Sequence, residues 1–333
     1  MKTPSIIFGF ALAFAGAANG QDVVRVGHLS ITADAPVYIA LEKGYFKERG
    51  IEVKLEPFVS AVAAMAPLAT GEIQIAGGGI GPSLFNAYAR AFPVRVVAHR
   101  TRDVPRNSVD VLMVRADLKG QVRAPADLRG KRIAINAPGA PHHYMINKML
   151  ESGGASLKEV TVVYMPWPDM ATAFTNKAID AGGVVEPFVA QFEERGTAYT
   201  LQRASDAVRD PFFEVAVLFY NDDWGRKNAR AANEFMIAYV KGSRDLMEAW
   251  GGGRNRAEVV NIMIKHTRVK DPALYERIHW GYVDPNGTVL KQSLRDQQDF
   301  YARQGQVPTK VDIDRIVDER YLKNAIEKLG VHK

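Results

Sequence analysis

The chain repeats itself. Ala35-Pro36 recurs as Ala140-Pro141, Met65-Ala66 as Met170-Ala171, and Ala76-Gly77-Gly78 as Ala181-Gly182-Gly183, all at one constant offset. Common spacing over separate matches points to two homologous units. Each copy reads the same way. A β-rich run (Val23 to His28; Lys131 to Asn136) is followed by a small-residue turn and a helix that starts at a proline. A second β-rich run (Ile51 to Phe58; Val160 to Tyr164), another helix and a short strand ending in glycines complete it. Strand-helix alternation of this kind favours an α/β architecture, with parallel strands covered by helices on both faces.

The segments between and beyond the copies suggest how the two units are joined. Val94 to His99 reads as a strand, Arg100 to Ser108 as a polar linker, and Val109 to Arg115 as the next strand. Val215 to Tyr220 is a further β-rich run before Asn221-Asp222-Asp223, a helix-start signal. From Arg226 the pattern is helical, with Ala232, Phe235, Met236, Tyr239, Val240 and Leu246 on one face and Gly251-Gly252-Gly253 as its stop. More helices are expected over Ala257 to His266, Leu290 to Arg303 and Asp312 to Leu329. The expected organisation is a lobe 1 over 21–103 and 224–333, which includes the C-terminal helices, and a lobe 2 over 104–223. Two crossings make a hinge, and hinged lobes close around ligands.

The 333 residues are 47% hydrophobic and 24% charged, a globular balance. A net charge of +6 is mild over this length, and no basic tail or aromatic-basic ladder suits a nucleic-acid backbone. Residues 1–20 read as a secretory signal peptide: Lys2, an apolar run from Ile6 to Ala18, then Ala18-Asn19-Gly20 before Gln21. The run is short for a membrane span. Cysteine is absent, which removes disulfides, thiol catalysis and cysteine metal sites. The expected location is the periplasm.

In open parallel sheets ligands lie at the carboxyl ends of strands, against helix N-termini. Three turns fit that place: Ser30 to Pro36, Gly77 to Pro82 and Pro138 to Pro141, each leading to a helix with proline in its first turn. Free N–H groups and the positive helix end favour an anion there. Trp167, between two prolines, either caps a core or stacks on a ligand. Arg100 and Arg102 sit at the first crossing, placed to meet an acid group or to be solvated. His142 and His143 open a helix, but adjacent helical positions diverge and no carboxylate spacing accompanies them, which argues against a metal. Glu186, before Pro187, either bonds a ligand donor or locks the turn. No phosphate loop, serine elbow or zinc-protease motif is present, and Gly77 to Pro82 has proline where a dinucleotide fingerprint needs its third glycine.

Pro36-Val37-Tyr38-Ile39-Ala40 runs into Lys43-Gly44-Tyr45-Phe46-Lys47-Glu48-Arg49-Gly50-Ile51. With Leu68-Ala69-Thr70-Gly71-Glu72-Ile73, Asp127-Leu128-Arg129-Gly130-Lys131-Arg132-Ile133 and Glu186-Pro187-Phe188, this resembles the periplasmic binding proteins for nitrate, sulfonates and taurine, which include thiamine-precursor-like members. The likeness spans Val24 to Gly196. It implies a type II periplasmic-binding fold that acts as a monomer, without cofactor, and hands a small organic solute to the permease and ATPase of an ABC importer. A sulfonate, taurine-like or carboxylate anion is the expected solute, and a neutral pyrimidine-like one the alternative. A periplasmic enzyme or a ligand sensor on the same scaffold is the other reading. Related thiamine-precursor synthases carry a cysteine-rich iron motif, which this chain lacks. The resemblance places ligand contacts in loops matched by Ser30, Thr32, Asp34 and Ala35; Ser60 and Ala61; Gly78, Gly79 and Ile80; Gly139, Ala140 and His142; Trp167; and Glu186. Arg100 joins them from its place at the crossing.

Overall fold

Two five-stranded sheets carry the molecule, and the repeat explains their likeness. The computed structural model describes residues 21–207 and 213–333, so the expected signal peptide lies outside the described residues. The first copy supplies β1 (Asp22–His28), β2 (Ile51–Pro57) and β3 (Ile75–Gly79); β4 (Val94–Asp103) follows. After the crossing come β5 (Asp110–Arg115), then the second copy's β6 (Arg132–Ile135), β7 (Thr161–Tyr164) and β8 (Ala181–Val185), then β9 (Ala198–Arg203) and β10 (Phe213–Asn221). The sheet orders are β2-β1-β3-β10-β4 and β7-β6-β8-β5-β9, so each copy is laid down in the same second-first-third order. Within a copy the strands pair in parallel, as the strand-helix alternation requires. The strands from outside the copies, β10 beside β3 and β5 beside β8, pair antiparallel.

One lobe boundary differs from the sequence reading. The expected boundary puts Val215 to Tyr220 in lobe 2, but β10 pairs with β3 and β4 in the first sheet. The chain is therefore back in lobe 1 by Phe213. Alternation alone does not say which sheet a late strand joins. β10 and β5 fill equivalent places in opposite sheets, so each lobe is completed by a strand from beyond its own copy.

The C-terminal helices follow the apolar pattern. Ala229–Trp250 buries Ala232, Phe235, Met236, Tyr239, Val240 and Leu246 and stops at Gly251. It lies close against the helix Ala35–Glu42: a Cβ on Gly242 would sit 2.1 Å from the Pro36 carbonyl oxygen, so only glycine fits. The helix expected over Asp312 to Leu329 is two, Ile313–Ile316 and Arg320–Leu329. Between them Asp318 N–H donates to the Val96 carbonyl at 2.7 Å, a bond to the β4 strand that an uninterrupted helix would forgo. Among the described residues no helix is long and apolar enough to cross a membrane.

Candidate functional site

The carboxyl ends of β1, β3, β6 and β8 face one another across the gap between the sheets, and their following loops enclose a narrow cavity. Leu29, Ile31 and Phe213 of lobe 1 and Met145, Trp167 and Val185 of lobe 2 form its apolar walls. The lobes touch at its edge. A Cβ on Gly79 would stand 2.3 Å from Pro141 Cγ, and one on Gly81 would stand 2.8 Å from the Gly139 carbonyl oxygen. Thr32 completes the closure: its N–H and Oγ1 donate to the Glu186 carbonyl at 3.4 and 3.2 Å.

Arg100 enters from β4 and is 1% exposed. Its guanidinium lies across Gly77, where a Cβ would meet Cζ at 2.5 Å, which explains a glycine in mid-strand. Nη2 donates to Asp34 Oδ1, and Asp34 Oδ2 accepts the Leu29 and Ile31 N–H groups at 3.0 and 3.1 Å. Nη1 is buried and has no partner among the described residues. A buried donor without an acceptor is costly, so this atom is a place for a ligand acceptor.

Opposite it stand Asp110 and His142. His142 Nε2 is 2.8 Å from Asp110 Oδ1, but neither imidazole nitrogen and neither carboxylate oxygen has hydrogen-bond alignment with a partner among the described residues. Asn136, directly after β6, adds an Oδ1 and Thr101 an Oγ1 that have no partner among the described residues. Asp103 lies behind Asp110 and accepts Ser108 Oγ and Val109 N–H, each at 2.7 Å. Burial, and then the Asp110 charge, push the Asp103 carboxyl well above the usual carboxylate range.

The sequence-predicted residues divide by position. Thr32, Ala61, Gly79, Arg100, Ala140, His142, Trp167 and Glu186 line the cavity. Ser30 lies at its mouth, in an outer groove with Phe58, Pro166 and Arg268. Asp34 stands behind Arg100. The other five do not line it. Ser60 caps the helix Ala61–Thr70 through the Ala63 N–H at 3.2 Å. Ala35 and Ile80 are core residues. Gly78 is covered by Ala61, and Gly139 serves the turn with φ of 68°.

Trp167 is a core residue that also lines the cavity. Its ring packs near Phe188 and edge-on to His142, with Nε1 donating to the Gly183 carbonyl at 3.1 Å. Glu186 locks the turn: Oε2 accepts Ala190 N–H at 3.2 Å and Oε1 accepts His279 N–H at 3.3 Å. Burial pushes its carboxyl up to about 7 against the pull of Arg203. Arg102 leaves the cavity to others, since its Nη2 donates to Glu214 and to the Thr288 carbonyl. His143 turns away too, with Nε2 3.0 Å from Tyr164 Oη and Nδ1 3.2 Å from the Ala140 carbonyl.

Asp110, Asn136 and Thr101 were missed. The strand-end rule was enough to find Asn136, directly after β6. Asp110 sits at the start of β5 rather than its end, and reaches the cavity because β5 runs antiparallel to β8.

A family model described as NMT1/THI5 like matches residues 31–249 of this sequence. The chain belongs to the NMT1/THI5-like family. Among relatives, the nitrate/nitrite binding protein NrtA of Nostoc is 23% identical over 318 residues, covering 88% of this chain and 70% of that protein. The taurine-binding periplasmic protein of Escherichia coli is 28% identical over 220 residues, covering 66% of this chain and 64% of that protein. In solved structures the same two-lobed α/β solute-binding fold recurs. The alkanesulfonate-binding protein SsuA of Xanthomonas axonopodis, bound to MOPS, aligns with a TM-score of 0.72 at 20% identity, over 89% of this chain and 98% of that one. The fold is also that of the desulfurization enzyme DSZB, with a TM-score of 0.68 at 15% identity, over 92% of this chain and 99% of that one. This NMT1/THI5-like chain thus shares its scaffold with binding proteins and with an enzyme.

Proposed function

We propose that this protein is the periplasmic solute-binding component of an ABC importer, closing its two lobes over a small organic solute and presenting it to a permease and its ATPase. The observation that carries the reading is Arg100 Nη1, buried and without a partner among the described residues, in a cavity walled by both lobes. That donor suits a carboxylate or sulfonate oxygen, and the apolar walls suit a carbon skeleton rather than a bare inorganic ion. The names of the relatives support the class, and the two-crossing hinge supplies the motion.

Binding without turnover is the expected behaviour. A thermal-shift screen of the mature chain against aliphatic and aromatic carboxylates, sulfonates and their amino derivatives tests it. A ligand that binds the folded form at about a hundred times its Kd adds about 2.7 kcal/mol of stability. One chemical class should raise Tm and be recovered unchanged. Conversion of that ligand to product would move the protein to the enzyme reading.

A further inference from the structure

The cavity is not built for an anion alone. Arg100 is already neutralised by Asp34, and Asp110 adds a second carboxylate that faces the same space and is 1% exposed. Among the described residues neither Asp110 oxygen has an aligned hydrogen bond, although each can accept two. Its neighbour His142 is 5% exposed and offers no aligned N–H, and Asn136, 7% exposed, adds another open acceptor. With His142 Nε2 2.8 Å from Oδ1 but out of hydrogen-bond alignment, and no donor on Oδ2 among the described residues, a carboxylate held this deep still carries part of the cost of its lost water. A plain anion seated on Arg100 would leave that cost in place and put like charge beside it.

We infer that Asp110 is a specificity-determining residue, and that the solute carries a hydrogen-bond-donating nitrogen, an amino or amidine-type group, besides the acceptor group that meets Arg100. The inference rests on the reading of the cleft as a solute site and deepens it. The discrimination works through rejection. A site with buried groups awaiting a donor excludes the analogue that lacks one, because closure then strands those groups dry and unpaired. On this reading nitrate and unsubstituted alkanesulfonates are poor ligands for this chain.

The test uses matched pairs that differ in the nitrogen alone: aminopropanesulfonate with propanesulfonate, and aminobenzoate with benzoate. Affinities for the full mature protein are read by calorimetry at one pH. The amino member of the pair that fits should bind about ten- to hundredfold tighter than its partner. In Asp110→Asn, which keeps the shape and removes the charge, that gap should shrink to about threefold or less. Equal affinity of both members for the unaltered protein would overturn the inference and leave the solute-binding reading standing. So would a gap that survives unchanged in Asp110→Asn, or a wider screen whose sole tight ligands have no N–H donor. The comparison on the unaltered protein holds whether or not the variant folds. If no solute of any class binds, the solute-binding reading itself fails, and this inference with it.

Discussion

Gly79 and Pro141 meet across the cleft so closely that a single added methyl group would overlap the proline ring, with 2.3 Å between Cβ and Cγ. Gly79 belongs to the first copy's glycine strand and Pro141 precedes the first helix of the second, so the contact reports how far the lobes are shut. Gly79→Ala is therefore expected to hold them apart. Solute affinity should fall about tenfold or more, because the closed form becomes a minor population. Small-angle scattering should show a larger radius of gyration with solute present than the unaltered protein has. Unchanged affinity would mean that this contact does not set closure.

Arg100 and Asp34 are a buried pair, and removing one member strands the other. Arg100→Met should destabilise the free protein by about 3–5 kcal/mol, since Asp34 keeps its charge and its two backbone donors but loses its counter-ion. Adding Asp34→Asn should recover much of that loss. Urea unfolding of the two single variants and the double variant measures the coupling, and additive losses would contradict it.

Much of this architecture was legible in residues. The constant offset between Ala76-Gly77-Gly78 and Ala181-Gly182-Gly183 points to two homologous α/β lobes, and the shared strand order agrees with it because a duplicated βαβ pattern packs the same way twice. Proline at helix starts located the turns that close on each other. The partnership of β10 was not legible, since its apolar alternation fits either sheet and long-range pairing decides. Loop membership also over-reached at Ile80 and Ser60: neighbours in sequence alternate between cavity and core, and a serine before a helix is satisfied by capping it. Asp110 was hidden because it opens the strand read over Val109 to Arg115, whereas the strand-end rule looks to the carboxyl end.

Trp167 combines a cavity wall with a core contact, and substitutions separate the two. Trp167→Ala should cost about 3–5 kcal/mol of stability by emptying the space beside Phe188 and leaving the Gly183 carbonyl without its donor. Trp167→Phe should retain most of the packing, so a fall in solute affinity there reports on the cavity wall itself. Paired thermal melts and calorimetry read the two effects. Stability little changed in Trp167→Ala would show that the ring is not part of the core.

The pH dependence has a definite sign. Glu186 titrates near 4.5 when unfolded and is pushed up to about 7 in the fold, chiefly by burial. Between those values the folded protein holds the proton more tightly than the unfolded chain. This contribution is therefore complete below 4.5 and is lost as pH rises to about 7, by at most about 3 kcal/mol. Asp103, raised by burial and Asp110, acts in the same direction. Urea midpoints measured across that range should show a fall that is shallower in Glu186→Gln. A slope identical in both proteins would remove Glu186 from the account.

The central claim is that a solute is held between the lobes, and a crystal structure with the ligand that raises Tm most tests it directly. The account predicts density inside the cavity, with a ligand acceptor on Arg100 Nη1, a ligand nitrogen on Asp110, and Gly79 still against Pro141. Ligand density elsewhere on the molecule, with Arg100 Nη1 and Asp110 left as they are, would contradict it.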